Sequence, residues 1–179
     1  MKNVMRIAAV AAFASLWGCG RVVSIRPLGD ASDSVFDAGF VGTWTDKDDT
    51  YVVKPGKNND YEIRDLKNPS AAMSARIFEI GSERVIDFVC TECGPFAIPG
   101  HAFARLRRVS DDQVEIRFID SEWLAQKAKT LGLPWFDYGD PPEVMVLTSP
   151  SAQVRDLIAN YGLREEALND AAVLQRLGR

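Results

Sequence analysis

The stretch Gln113-Val114-Glu115-Ile116-Arg117-Phe118-Ile119-Asp120 decides the fold. Val114, Ile116 and Phe118 alternate with Glu115 and Arg117, and a period of two places the apolar side chains on one face of a strand and the charges on the other. Such a strand belongs to an antiparallel sheet with one wetted side. Ser110-Asp111-Asp112 is a turn signal that leads back to a second strand at 102–109. Upstream, segments 74–80 and 84–90 flank Gly81-Ser82, which reads as a hairpin. Further upstream, 60–66, 50–54 and 40–45 are short β-patterned runs, separated by Pro55-Gly56 and by Asp46-Lys47-Asp48-Asp49. Residues 143–147 supply an eighth strand. Eight short strands joined by tight turns predict a mainly β fold, an eight-stranded antiparallel barrel or a strongly curved sheet. Closure removes the edges that otherwise template aggregation, and a barrel of this size is either filled by side chains or holds one small ligand.

Helical periodicity is confined to the later part of the chain. Ser121 is placed to cap a helix inserted at 121–131, with Leu124, Ala128 and Leu131 on one stripe and Gly132 as its terminator. A second helix is predicted at 150–161 and a third at 163–177, the latter with Ala167, Leu168, Ala171 and Leu174 on its buried side. The expected organisation is therefore a β domain at 40–148 followed by C-terminal helices at 149–179 that pack on it.

The N-terminus reads as a targeting segment. Lys2 and Arg6 precede an apolar run at 7–17 (IAAVAAFASLW), too short to cross a bilayer as a helix. Leu16-Trp17-Gly18-Cys19 resembles the lipobox of bacterial lipoproteins. The resemblance implies removal of residues 1–18 and acylation of Cys19 as the first mature residue. Its acyl chains would be the contact with the membrane. With Gly20 rather than aspartate next, it further implies an outer-membrane address facing the periplasm. The alternative is an ordinary cleaved signal peptide with an incidental cysteine. Residues 19–39 lack periodicity and contain Pro27, Gly29 and a Ser/Asp cluster. They read as a lipidated cysteine on a flexible tether that reaches roughly 25 Å.

The chain has 179 residues, is 46% hydrophobic and 26% charged, and carries a net charge of -4, which becomes -6 once Lys2 and Arg6 are removed. An acidic chain without a basic patch is not built for nucleic acid. If Cys19 carries lipid, Cys90 and Cys93 remain as an even pair, which in an oxidising compartment favours a structural disulfide. A redox pair or a zinc site completed by His101, the single histidine, are the alternatives, but no helix opens at the pair and there is no second Cys-x-x-Cys. No metal or cofactor is expected. Asp46 to Asp49 lack the glycine and glutamate of a calcium loop and read as a solvated turn. In the basic run Arg105, Arg107 and Arg108, the first two share a face and could join Arg76 or Arg117 around an anion, or simply form the wet side of a strand. None of the common catalytic motifs occurs, so no enzymatic activity is expected. Residues 134–139 (PWFDYG) form an aromatic loop that could fold over the barrel end or rim a contact surface.

Gly42-Thr43-Trp44 resembles the Gly-x-Trp signature of the lipocalins. In that family the glycine eases a bend, the tryptophan plugs the closed end of the barrel, and an arginine often stacks on it. Two functions follow as expectations: binding of a small apolar ligand, or service as an interaction or assembly factor of the envelope through the C-terminal helices and the Trp135 loop. The barrel interior discriminates between them, since a wide apolar cavity favours a ligand and a filled interior favours a partner.

Overall fold

A computed structural model describes residues 21–68, 72–90, 99–139 and 144–178. Eight strands close an antiparallel barrel in the order β3 (Gly42–Thr45), β4 (Thr50–Pro55), β5 (Tyr61–Asp65), β6 (Ala72–Ile80), β7 (Glu83–Cys90), β8 (His101–Ser110), β9 (Gln113–Phe118) and β12 (Ala172–Arg176). β12 lies between β9 and β3, pairing Leu174 with Val114 and Arg176 with Trp44. The first seven of these strands are the runs whose alternation is plain in the sequence.

The eighth is not the one expected. Residues 144–147 form a strand, β11 (Val144–Leu147), but it stands outside the barrel. The closing strand comes instead from the region read as a third helix. Without it β3 and β9 would each present an open row of backbone N–H and C=O groups, and pairing both rows outweighs the modest helix preference of Ala, Leu, Gln and Arg. Ala172 and Leu174 face inward and are buried, while Val173 and Gln175 face outward.

Inside the barrel the alternating residues form one cluster that includes Phe40, Trp44, Tyr61, Ile77, Phe88, Ile116 and Phe118. A second cluster lies against the outer wall. There the outward residues of the barrel strands are themselves apolar (Phe78, Val85, Phe103), and a layer of other segments covers them. That layer holds β1 (Arg21–Ser24), Leu28, α1 (Ser121–Thr130), β11, and α2 (Ser151–Leu157), which continues as a π-turn through Ile158–Gly162. β1 pairs with β8 at Ser24 and His101 and runs parallel to β11, and β10 (Trp135–Tyr138) adds to β11 as the last strand of the sheet.

Two further expectations need correction. Residues 21–39 are not a tether: Leu28 is fully buried, β2 (Ser34–Val35) pairs with β6, and a 3-10 turn at Ala38–Phe40 leads into β3. The segment is held because Val22 and Leu28 are buried in the outer cluster and Val35 packs against the inner one. At α1 the cap is Asp120 rather than Ser121, its carboxylate accepting the Trp123 N–H at 2.8 Å. Among the described residues no helix is long and apolar enough to cross a membrane.

Candidate functional site

The barrel end at β3 is closed by packed side chains. Trp44 is fully buried and donates its Nε1–H to the Phe40 carbonyl at 2.8 Å. The Arg176 guanidinium lies 4.3 Å above the indole ring and donates to the Val41 and Gly39 carbonyls. Gly42 has φ of +145°, a backbone conformation that favours glycine, and a Cβ there would push against the tip of that guanidinium. Beside this plug Asp37 receives Arg84, Arg108 and the Gly39 N–H. Burial opposes its ionisation, but the hydrogen bonds and charges of these partners prevail and hold the carboxyl below the usual carboxylate range. Burial pushes the Tyr61 hydroxyl upward in turn, while its oxygen accepts the Asp37 N–H. These groups have partners in the fold and carry the closure of the barrel rather than its chemistry.

A cavity of about 260 Å3 opens on the outer wall instead, lined by Pro27, Ser74, Ala75, Arg76, Asp87, Val89 and His101. The strand register builds it. Ser74 and Arg76 point outward from β6 and pair with Val89 and Asp87 of β7, while Val89 pairs with His101 of β8. Pro27 comes from the segment that was expected to be a free tether, so residues after β1 supply part of the wall.

Asp87 is 4% exposed and fully engaged. One oxygen lies 2.7 Å from His101 Nδ1 and the other accepts the Leu28 N–H at 2.8 Å. A carboxylate only accepts, so this contact puts a proton on Nδ1 and fixes the orientation of the ring. Arg76 uses Nε and Nη2 on Asp60. That carboxylate, through its hydrogen bond first, raises the Arg76 pKa and fixes its charge. The cavity thus has an imidazole at His101, a guanidinium at Arg76 and the Ser74 side chain in its wall. It matches a small polar molecule that offers a hydroxyl to the imidazole and an acceptor oxygen to Arg76. Its volume lies below the roughly 300–1,000 Å3 of typical drug-sized sites.

The residues singled out in the sequence are dispersed. Cys19 and Cys93 lie outside the described residues, whereas Cys90 ends β7 with its sulfur 3.8 Å from the Ala72 carbonyl. His101 has gone to the outer-wall cavity, and no cluster of three metal-ligating side chains occurs among the described residues. Arg105, expected to be wet, is 4% exposed beneath Glu165 and Glu115; Arg108 binds Asp37; Arg117 binds Glu165. Arg117 first and then Arg105 lower the Glu165 pKa. Of the five arginines considered together, Arg76 alone lines the cavity. Asp46 accepts the backbone N–H groups of Asp48 and Asp49, which makes its segment a self-capped turn. Asp87 escaped the sequence reading, although its signal was present: a carboxylate inside Val85-Ile86-Asp87-Phe88-Val89, where both faces are otherwise apolar, must have a buried partner. No family model, curated protein or solved structure matches this chain.

Proposed function

We propose that this chain is a lipid-anchored lipoprotein of the bacterial cell envelope that works by binding, with the outer-wall cavity as its site. On this reading residues 1–18 are removed, Cys19 carries the acyl chains, and the domain faces the periplasm from the outer membrane. Cys90 and Cys93 are paired in that oxidising space. The lipobox-like Leu16-Trp17-Gly18-Cys19 supports the anchor. The stack of Arg176 on Trp44 beside Gly42 supports the lipocalin likeness of the barrel. The ligand assigned to it changes in kind. The barrel axis is occupied by Trp44, Tyr61, Phe88 and Phe118, which argues against an apolar molecule held inside, as the family resemblance had implied.

The observation that carries the binding role is the buried Asp87–His101 contact at the wall of a cavity that also receives Arg76. A buried carboxylate beside a histidine ring is the arrangement proteins use to fix the orientation of that ring. His101 is the sole histidine, so its imidazole resonances are unambiguous in the spectrum of the whole chain. Titration of the detergent-solubilised protein with lactate, which carries both a hydroxyl and a carboxylate, should move those resonances saturably. Arg76→Ala should weaken the response about ten-fold, the loss of one charge-assisted contact. Imidazole resonances indifferent to lactate, phosphate and glycerol alike would reject the site.

The alternative role, an interaction or assembly factor, is favoured by one feature: β10 exposes aromatic side chains at the sheet edge.

A further inference from the structure

β10 reads Trp135-Phe136-Asp137-Tyr138, and all four residues are exposed, the aromatic ones at 38–43%. Among the described residues β10 is the terminal strand of the sheet, and no described strand pairs with its outer edge. β10 is short, but three exposed aromatic side chains together at an edge are what folded proteins avoid unless something covers them. The register tells what lies nearby. Tyr138 pairs with Val144, and Val144 pairs with Arg21, the first described residue. With strands about 4.8 Å apart, the Tyr138 backbone is about 10 Å from that of Arg21. Cys19 precedes Arg21 by two residues, a span of at most about 7 Å. Only Gly20 stands between Cys19 and β1, so an anchor at Cys19 would lie within about 17 Å of this edge.

From this juxtaposition we infer that β10 is a membrane seat, with Trp135, Phe136 and Tyr138 entering the headgroup region of the bilayer beside the acyl chains of Cys19. The inference rests on the lipoprotein reading above. The chemistry fits a lipid surface: Trp and Tyr concentrate at membrane interfaces, where an apolar ring and a polar tip are both satisfied. The Lys129 ammonium lies 4.7 Å over the Trp135 ring, which places a cation where anionic headgroups would sit. Side chains alternate along the strand, so Trp135 lies on one face of β10 and Phe136 and Tyr138 on the other. All three rings reach the headgroup layer of about 5–7 Å per leaflet only when the open edge of the strand faces the bilayer with its axis close to the membrane plane. A domain seated in this way holds a fixed orientation and does not swing on a leash.

The test uses the full chain purified from its membrane in mild detergent. The mass of its N-terminal peptide reads the anchor. The protein is then placed in phosphatidylethanolamine–phosphatidylglycerol vesicles with and without brominated acyl chains, and the emission of Trp135 is isolated as the difference between wild type and Trp135→Phe. We expect brominated lipid to quench that difference emission by at least half. The double variant Phe136→Ser/Tyr138→Ser should lose most of this quenching with its near-ultraviolet circular dichroism intact. Acylated protein whose Trp135 emission is the same in both vesicles overturns the seat and leaves the anchor standing, which would hand this edge to a protein partner. Quenching in protein that lacks acyl chains upholds the seat and overturns the anchor. Absence of both overturns both.

Discussion

Two tryptophans in this molecule each lie beneath a cation, and their surroundings differ completely. Trp44 has the Arg176 guanidinium at 4.3 Å and is fully buried at the barrel end, whereas Trp135 has the Lys129 ammonium at 4.7 Å and is 38% exposed on β10. The local chemistry is nearly the same. Burial separates their roles. A ring removed from water contributes by its area and its contacts, and the cation above it must satisfy its own donors in the same space, as Arg176 does on Val41 and Gly39. An exposed ring contributes little to folding and is left available for contact. The barrel end is thus built for stability, and the β10 edge is the part with surface to offer.

The sharpest way to break this comparison is at the plug. Trp44→Ala removes the largest fully buried side chain, takes the donor from the Phe40 carbonyl and uncovers Arg176. A loss of about 3–5 kcal/mol is expected, measured as the midpoint shift in urea at constant slope. A loss under about 1 kcal/mol would mean that the barrel end is not a packed core.

An intermediate effect is expected beside the plug, at Asp37, and it depends on pH. Its native pKa lies below its ordinary value, because the gain from Arg108, Gly39 and Arg84 exceeds the cost of burial. The native state therefore binds its proton less readily than the unfolded chain, and the stabilisation is fully present above the unfolded value of about 3.9. It disappears as pH falls from there through the native value. Asp37→Asn should lower stability by about 1–3 kcal/mol at neutral pH, the range for hydrogen bonds to a charged group. Below both values the variant and the wild type should converge, and urea midpoints at pH 7 and in the acid limb would detect a failure to do so.

The same contrast explains what the sequence disclosed. Strands β3–β9 are legible because each side-chain alternation is local and the turns between them are marked by Gly, Pro, Asn and Asp. β12 was misread because Ala167, Leu168, Ala171 and Leu174 satisfy a helical period as well as a strand satisfies its own. Only the two waiting edges of β3 and β9, which are more than fifty residues away in the sense of β9 and Ala172, decide the matter. The segment before β3 looked like a tether because its buried residues are scattered, and Leu28 acquires its role from Asp87, which lies 59 residues further along. The wall cavity has the same origin. His101, Arg76 and Ser74 were each visible as residues, but the register of three strands puts them at one place, and no periodicity within a strand reports on that.

The smallest expected effect sharpens the comparison most. Trp135→Ser deletes a ring as large as that of Trp44, and the exposed cation–π contact with Lys129 contributes about 0.5–1 kcal/mol at most. Surface substitutions generally stay within about 0.5 kcal/mol, so the urea midpoint of this variant should remain close to that of the wild type. A cost near that of Trp44→Ala would show that β10 is a structural strut rather than a contact surface. A negligible cost here, beside a loss of quenching by brominated lipid in the Phe136→Ser/Tyr138→Ser variant, would separate folding from placement. The chain would then use one tryptophan to close its barrel and the other to set the barrel against its surroundings, with the cation over each ring doing the same electrostatic service in two different solvents.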